Sequence, residues 1–364
     1  MCLIMSNKKW LKIILLLVVI GAFVQITSAG ISEMILGEQE RPINEIFWIA
    51  GLSFLAILII ADFTGKQAEN VGSHLGAAVG IILIAVSSSL PELFVSILSS
   101  LQGHANIAIA NVIGSNMANV ALILGVISIL RPVKLQRGFA KSFTFLLLMV
   151  AVIVAIFFKV GFFPQEITYS PIAERIILPQ EGIILMALFA VYCLLMNVIG
   201  MGEAPSGKGA KLGTAIFLTL VGGVGVWLSA EFAIDALIKI AIHYQISETI
   251  IAATLIAVGT SLPEFAMSII ATVKAKSETS FGNLIASNVF NSTVCLGVAA
   301  LIGAFVVSSS IISFHLPFML LMSVTVFFMS FKNEIKRTDG IILLIIYAAY
   351  VVLMLSGEPV IFPY

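Results

Sequence analysis

Long runs in which almost every position is apolar recur along the chain, separated by short segments that carry charges, glycine or proline. Runs such as 13–20 and 143–158 are apolar on nearly every face, whereas membrane β-strands would alternate in polarity. Because a membrane-spanning helix needs about 20 apolar residues, the pattern predicts eleven spans. Their approximate bounds are 10–29, 44–62, 75–101, 106–130, 140–162, 178–200, 213–242, 249–273, 279–305, 308–330 and 339–356.

The first span, 10–29, allows two interpretations. Its lysine-rich start, its apolar stretch and its Thr27-Ser28-Ala29 ending are typical of a signal peptide. The apolar run is long for a signal peptide, which favours a retained helix. Residues 1–30 are therefore predicted to form an N-terminal apolar helix or a signal peptide, and either interpretation leaves the same ten-helix core.

Composition agrees with an integral membrane protein. Hydrophobic residues make up 60% of the chain and charged residues only 10%, against about 25% charged residues in soluble domains. A soluble fold this apolar could not cover its own surface, and no basic patch indicates nucleic-acid binding. The three cysteines lie far apart in the sequence and predict neither a disulfide nor a metal site.

The 19 basic and 19 acidic residues cancel in number, but they are unevenly distributed along the chain. Lys8, Lys9 and Lys12 predict a cytoplasmic N-terminus, and eleven spans then put about 15 of the basic residues in cytoplasmic segments. The opposite segments are mostly acidic. This asymmetry predicts a multi-pass protein in a lipid bilayer, with the plasma membrane of a prokaryote as the expected location. No feature indicates an oligomeric state.

Two segments repeat at an offset of 172 residues. LIAVSSSLPELFVSI begins at Leu83, and LIAVGTSLPEFAMSI begins at Leu255. At the same offset ANVIGSNMAN (110–119) aligns with GNLIASNVFN (282–291). Between 82–126 and 254–298, 18 of 45 positions are identical without a gap, and the identities include polar residues that an apolar composition does not explain.

The predicted fold is an all-α polytopic membrane protein whose ten-helix core consists of two inverted five-helix repeats. The first repeat covers 44–200 and the second covers 213–357, with a cytoplasmic linker at 201–212. Because each half has an odd number of spans, the two copies are expected to cross the membrane in opposite directions. Inverted repeats with interrupted helices are typical of alternating-access transporters. Duplicated halves that form only a scaffold would not explain why polar residues are the duplicated part.

Each repeat carries a proline followed by a glutamate in the middle of a span, Pro91-Glu92 and Pro263-Glu264. A charge at this depth is costly and marks a functional site by default. Proline removes a helix hydrogen bond, so each pair predicts a helix break that frees backbone carbonyls near the site. Hydroxyls three and four residues before each glutamate are expected on the same helical face as the carboxylate. They belong to Ser88, Ser89, Thr260 and Ser261.

The second repeated motif adds neutral ligand atoms. Its members recur every four residues and are expected to form one stripe on a helix. They are Asn111, Ser115 and Asn119 in the first repeat and Asn283, Ser287 and Asn291 in the second, with Asn116 and Asn288 in supporting positions. Oxygen ligands without His or Cys favour Na⁺, Ca²⁺ or Mg²⁺, and Ca²⁺ accepts irregular coordination more readily than Mg²⁺. The alternative is that individual serines and asparagines only hold helices together.

The paired motifs resemble the α-repeats of the cation/calcium antiporter superfamily, of the sodium/calcium exchanger type. They are SSSLPE (87–92) with ANVIGSNMAN, and GTSLPE (259–264) with GNLIASNVFN. The resemblance implies a transporter, not an enzyme, that exchanges Ca²⁺ for Na⁺ by alternating access and needs no cofactor. It makes Glu92 and Glu264 shared ion ligands. The other ligands that it implies are the hydroxyls of Ser88, Ser89, Thr260 and Ser261, the backbone carbonyls of Ala85 and Ala257, Ser115 and Ser287 in sodium sites, and Asn119 and Asn291 at the centre.

Several positions depart from the family motifs. Ser87 and Ser88 stand where the first motif has Gly and Thr, and Ala110 and Ala286 stand where the second motif has Gly. These departures predict a less symmetric site. Asn291 stands where potassium-dependent members have Asp, which predicts exchange without K⁺. The connection 200–212 is too short for the calcium-sensing domains of animal exchangers, so their form of regulation is not expected.

Three alternative functions remain open from the sequence. An antiporter coupled to H⁺, or one for another divalent cation, would use the same carboxylates. A cation channel would not need inverted, broken helices. A membrane-embedded enzyme would need a nucleophile with a base, or a metal held by His, and the sequence shows neither within the predicted spans.

Overall fold

The computed structural model of the protein describes residues 42–103, 105–135, 137–157, 175–199, 211–244, 259–308 and 310–356. Within these ranges the chain is helical apart from short strands and connections. The predicted first span, 10–29, and positions 201–210 of the predicted linker lie outside the described residues, so both stay predictions.

The described part of the first half consists of helices with two short strands. The elements are α1 Ile43–Leu75, α2 Ala77–Ser88, α3 Leu90–Leu101, α4 Ala105–Met117, α5 Leu124–Leu130, β1 Val133–Lys134, α6 Arg137–Phe157, β2 Arg175–Ile177 and α7 Pro179–Ile199. A π-helical segment, Ala118–Ile123, joins α4 to α5. Gly76 separates α1 from α2 with a φ of 98°, a conformation that glycine adopts without strain.

The second half has a similar order of elements. They are α8 Leu212–His243, α9 Leu262–Val273, α10 Ser277–Phe290, α11 Leu296–Ile302, β3 Phe305–Val307, α12 Leu316–Ser330, β4 Glu334–Ile335 and α13 Arg337–Leu355. A π-helical segment, Asn291–Cys295, joins α10 to α11, and another, Ile311–His315, precedes α12. The bounds of α9 and α11 equal those of α3 and α5 after a shift of 172 residues, so the sequence repeat is also a repeat of elements.

The helices have the length and apolarity of membrane spans. Among the described residues, seven spans meet that test, or eight if the bent pair α2–α3 counts as one. Shorter apolar helices lie at 140–156 and 262–273. Large apolar side chains such as Leu194, Phe217 and Phe328 are exposed, as expected for a lipid-facing surface. The all-α polytopic fold is therefore confirmed, whereas the count of ten core helices and their inversion stay predictions.

The polar motifs lie in the most buried helices. Within an 18-residue apolar window of each of the stretches 105–130 and 277–302, 78% of the residues are buried, against 33% in the corresponding windows of α1 and α8. This arrangement follows from the sequence, because α4 and α10 are rich in small and polar residues that suit close helix contacts. The outer helices present apolar side chains to the surroundings.

The two halves pack closely at two pairs of glycines. Gly125 in α5 lies against Gly340 in α13, and Gly182 in α7 lies against Gly297 in α11. A Cβ atom added to Gly182 would lie 2.5 Å from the Gly297 carbonyl oxygen, and one added to Gly340 would lie 2.6 Å from the Gly125 carbonyl oxygen. The backbones of the paired helices can therefore approach each other this closely only because glycine has no side chain.

Two strand pairs also connect the halves. Strand β1 pairs with β4, with Val133 opposite Ile335, and β2 pairs with β3, with Ile176 opposite Val306. The first pair joins two segments that the charge pattern predicts to be cytoplasmic. The second pair joins two segments that it predicts to be external.

Ion pairs tie α1 to the connection between α9 and α10. Asp62 pairs with Lys66 and with Lys274, and Glu69 pairs with Lys276. These residues line a small cavity that also includes Thr279 and Asn283. Because Lys66, Lys274 and Lys276 belong to the predicted cytoplasmic segments, this cavity lies at the predicted cytoplasmic end.

Candidate cation-binding site

The predicted span that contains Glu92 is interrupted at Ser89, just before Pro91. Helix α2 ends at Ser88, and α3 begins at Leu90 after a bend of 46°. Pro91 lies in the first turn of α3, where a helix has no partner for the missing N–H group. In the second half, α9 begins at Leu262 with Pro263 in its first turn. Each proline thus marks the start of a helix, and each glutamate lies in that first turn.

Both predicted carboxylates are completely buried. Glu92 and Glu264 have 0% exposure, and their carboxyl groups lie close enough to interact electrostatically. Ser115 Oγ donates to Glu92 Oε1 over 3.1 Å, and Ser89 Oγ donates to Glu264 Oε1 over 2.7 Å. The structure therefore brings together the carboxylates of both halves with hydroxyls from both motifs.

The hydrogen-bond partner of Ser89 lies in the other half. Ser89 is the N-cap residue of α3, the helix that carries Glu92, and its Oγ donates to Glu264. Its expected place on the face of Glu92 stays a prediction, and the contact with Glu264 has no signal in the local sequence.

Thr260 connects the second half to Glu92 through Ser115. Its Oγ1 lies 3.3 Å from Ser115 Oγ. A hydroxyl has one hydrogen, so Ser115, which donates to Glu92, must accept the hydrogen bond from Thr260. Each carboxylate is thus contacted, directly or through one hydroxyl, by the opposite half.

A chain of amide hydrogen bonds crosses between the halves. Asn119 Nδ2 donates to Asn288 Oδ1 over 2.8 Å, and Asn288 Nδ2 donates to the Asn116 carbonyl oxygen over 3.1 Å. Asn116 Nδ2 donates to Ser292 Oγ over 2.7 Å. Asn119 and Asn291 both lie in π-helical segments, which are frequent at functional sites.

The Ala85 carbonyl, a predicted backbone ligand, accepts two hydrogen bonds. Its donors are the backbone N–H of Ser89 over 3.0 Å and Oγ of Ser88 over 3.2 Å. A cation that binds this carbonyl would therefore replace or share these contacts. The matching residue Ala257 lies outside the described residues.

The remaining predicted residues support the two helices or lie buried near them. Asn111 donates to the Glu92 carbonyl oxygen over 3.4 Å, and Asn283 donates to Ser268 Oγ over the same distance. Ser261 and Ser287 are buried, and their hydroxyls have no hydrogen-bond partner within the described ranges.

Three polar residues of this region were not predicted. Ser268 accepts from Asn283, Ser292 accepts from Asn116, and Cys295 Sγ lies 3.7 Å from Asn291 Oδ1. Ser268 could have been found, because it is identical to Ser96 at the repeat offset, one turn after each glutamate. Ser292 and Cys295 have no polar counterpart in the first repeat, so the repeated sequence carries no signal for them.

Several polar atoms of the predicted ligand residues are buried without a hydrogen-bond partner in the part of the chain that the structure describes. They are Glu92 Oε2, Glu264 Oε2, Ser261 Oγ, Ser287 Oγ, Asn119 Oδ1 and Asn291 Nδ2. A buried polar group without a partner costs about 1–3 kcal/mol. All but one of these atoms are oxygens, and oxygens are the ligands that Na⁺ and Ca²⁺ prefer.

The charge of the two carboxylates also lacks compensation from basic side chains. No ion pair among the described residues includes Glu92 or Glu264. An uncompensated buried charge costs several kcal/mol, and a bound cation would remove that cost. The donor set therefore fits a hard cation.

These features define a polytopic membrane protein with a candidate cation site between two repeated halves. The sequence profile of the family described as sodium/calcium exchanger protein matches residues 45–198 and 214–356. Because the match covers most of the chain, the chain belongs to this family, whose members are transporters. This result confirms the predicted cation/calcium antiporter superfamily.

Individual proteins show the same similarity. The sodium/calcium exchanger MaX1 of Methanosarcina acetivorans is 28% identical over 353 residues, which cover 86% of this chain and 98% of that protein. The inner membrane protein YrbG of Escherichia coli is 28% identical over 239 residues, which cover 62% of this chain and 69% of that protein. A solved structure of the sodium-calcium exchanger NCX_Mj, soaked with 10 mM Na⁺ and zero Ca²⁺, superposes with a TM-score of 0.68 at 26% identity. The superposition covers 85% of this chain and 99% of that chain.

Proposed function

We propose that the protein is a secondary cation antiporter that exchanges Ca²⁺ for Na⁺ across the membrane by alternating access. Glu92 and Glu264 bind both ions as shared ligands, and the surrounding hydroxyls and amides complete the coordination. Membership of the exchanger family and the similarity to MaX1 and NCX_Mj support the choice of ions. The protein acts as a transporter and not as an enzyme, and no cofactor takes part.

One observation carries this proposal: each half contributes a buried carboxylate, and the opposite half contacts it. Ser89 of the first half donates to Glu264, and Thr260 of the second half contacts Glu92 through Ser115. A site whose ligands come from two halves changes when the halves move against each other. Movement of the two halves can therefore link ion binding to a change in which side of the membrane has access to the site.

Charge balance explains why the two ions would compete. Two buried carboxylates need positive charge from the ions that they bind, because the described residues offer no ion pair to either. One Ca²⁺ or several Na⁺ can supply it. Binding of one kind of ion therefore excludes the other, which is the requirement for exchange.

Flux measurements in proteoliposomes test the proposal. Vesicles loaded with Na⁺ and diluted into Na⁺-free medium should take up radiolabelled Ca²⁺, and Glu92→Gln should abolish the uptake. A pH gradient at equal Na⁺ on both sides should not drive uptake. Absence of Na⁺-driven uptake by the wild-type protein, or full uptake by Glu92→Gln, would overturn the proposal.

The proposed setting is the plasma membrane of a prokaryote. The relatives MaX1 and YrbG come from prokaryotes, and YrbG is named as an inner membrane protein. The predicted placement of basic residues on the cytoplasmic side suits the same setting.

A further inference from the structure

The orientation of an asparagine amide decides whether it offers an oxygen to a cation or an N–H group that repels one. At Asn288 this orientation follows from a hydrogen bond to the backbone. The Asn288 side chain contacts the Asn116 carbonyl oxygen over 3.1 Å. Since a carbonyl can only accept, the end of Asn288 that faces it must be the NH₂ group.

The orientation of the Asn288 amide in turn fixes the orientation of the Asn119 amide. With its NH₂ group on Asn116, Asn288 turns Oδ1 towards the Asn119 amide, 2.8 Å away. Asn119 must therefore donate through Nδ2, and its own Oδ1 is left buried with no hydrogen-bond partner among the described residues. The oxygen of Asn119 is the atom that a hard cation can bind.

Among the described residues, no hydrogen bond fixes the orientation of the equivalent amide of the second half. Asn291 occupies the position of Asn119, and its Oδ1 lies 3.7 Å from Cys295 Sγ. A thiol donates and accepts only weakly, so it fixes neither orientation of the amide. Asn116, at the position of Asn288, donates to Ser292 Oγ instead.

We infer that Asn288 is a positioning residue for cation binding, because it fixes the Asn119 amide with the oxygen available to the ion. This inference rests on the proposed function and names a residue outside the ligand set. Removal of a residue that orients a metal ligand typically lowers metal affinity by about 10- to 100-fold. A substitution of Asn288 should therefore lower cation affinity only by releasing the Asn119 amide from its fixed orientation.

A double-mutant comparison in Na⁺-driven Ca²⁺ uptake tests this route. Asn288→Leu, which keeps a similar volume and removes both hydrogen bonds, should raise the KM for Ca²⁺ about tenfold and change kcat less. Asn119→Ala should raise KM by a similar or larger factor. The double variant Asn119→Ala/Asn288→Leu should have the KM of Asn119→Ala alone, because the two changes act on the same contact.

Thr293→Val is a matched control. It removes a buried hydroxyl from the π-helical segment that contains Asn291, and this hydroxyl donates only within its own helix, to the Val289 carbonyl. Its KM for Ca²⁺ should stay within about twofold of the wild-type value, as expected for a substitution that spares every ligand contact.

The outcomes separate the possible roles. Unchanged KM in Asn288→Leu, or a KM in the double variant that multiplies the two single effects, overturns the inference. A lower amount of folded protein with a normal KM shows a purely structural role and also overturns it. Should Asn288→Leu not fold, Asn288→Ala removes the same two hydrogen bonds with a smaller side chain. Failure of the wild-type protein to take up Ca²⁺ refutes the proposed function instead, so the two failures are distinguishable.

Discussion

Ser89 of the first half donates a hydrogen bond to Oε1 of Glu264 in the second half over 2.7 Å. Its counterpart at the repeat offset, Ser261, has a buried hydroxyl without a hydrogen-bond partner in the described part of the chain. The two motifs are nearly the same in sequence, but their contacts differ. We therefore expect substitutions of the two serines to change the stability of the protein by different amounts.

Ser89→Ala should destabilise the protein more than Ser261→Ala. A hydrogen bond to a charged group contributes about 1.5–3 kcal/mol, so loss of the Ser89 donor should lower the free energy of unfolding by about that amount. Removal of a buried hydroxyl that makes no hydrogen bond should be neutral or stabilising. Unfolding of both variants in detergent without Ca²⁺ measures the difference, and equal destabilisation would contradict the assigned contacts.

Gly182→Ala should disrupt the contact between α7 and α11. The added methyl group would lie 2.5 Å from the Gly297 carbonyl oxygen, and such overpacking costs about 1–3 kcal/mol. Gly51→Ala in α1 is the control, because its methyl group would meet no atom within 4 Å. That change should raise stability by up to about 1 kcal/mol, since alanine favours helix more than glycine does. A Gly182→Ala variant as stable as Gly51→Ala would show that the helices are not in contact.

The ion pairs at the predicted cytoplasmic end should limit access to the cavity that they line. Alternating access requires contacts between the halves at one end to separate when the site opens there. Lys274→Met/Lys276→Met removes the pairs with Asp62 and Glu69. In a background without the native cysteines, a Thr279→Cys reporter should then react faster with a membrane-impermeant maleimide applied from the cytoplasmic side.

Lys239→Met provides the comparison for this accessibility change. Lys239 pairs with Asp235 over 3.0 Å within α8, so this pair does not connect the halves. The reaction rate of the Thr279→Cys reporter should stay unchanged in this background. Equal acceleration by Lys239→Met would show a general effect of lost charge.

Potassium should not be needed for Ca²⁺ uptake. Asn291 is an amide at the position where the family resemblance implies Asp in potassium-dependent members. We therefore expect the site to have two acids, Glu92 and Glu264, and no third carboxylate for K⁺. Uptake driven by Na⁺ should be the same when external choline is replaced by K⁺. A requirement for K⁺ would contradict the role given to Asn291.

Most of the fold could be predicted because it depends on repetition and hydropathy. The repeat at 172 residues aligned α3 with α9 and α5 with α11, and the apolar runs located the long helices. The burial of Glu92 and Glu264 also follows from the sequence, because both lie in the middle of apolar spans.

The partners of individual side chains could not be predicted. Ser89 and Glu264 are separated by 175 residues, so no local pattern records their contact. The nearly identical motifs suggested equivalent roles for Asn119 and Asn291, but Asn119 donates to Asn288, whereas Asn291 accepts from the thiol of Cys295, which the first repeat does not share. No residue type in the motifs predicts the π-helical segments at these two asparagines.

Competition of Na⁺ and Ca²⁺ for one pair of carboxylates is tested most directly by equilibrium binding of radiolabelled Ca²⁺ to the purified protein. The wild-type protein should bind Ca²⁺, and added Na⁺ should displace it. Glu92→Gln and Glu264→Gln should each weaken binding by more than about tenfold, a loss of at least about 1.4 kcal/mol. Glu231→Gln, which changes an exposed acid bonded to Trp227, should bind as the wild type does. Full Ca²⁺ binding by either Glu92→Gln or Glu264→Gln, or binding that Na⁺ does not displace, would contradict a shared site.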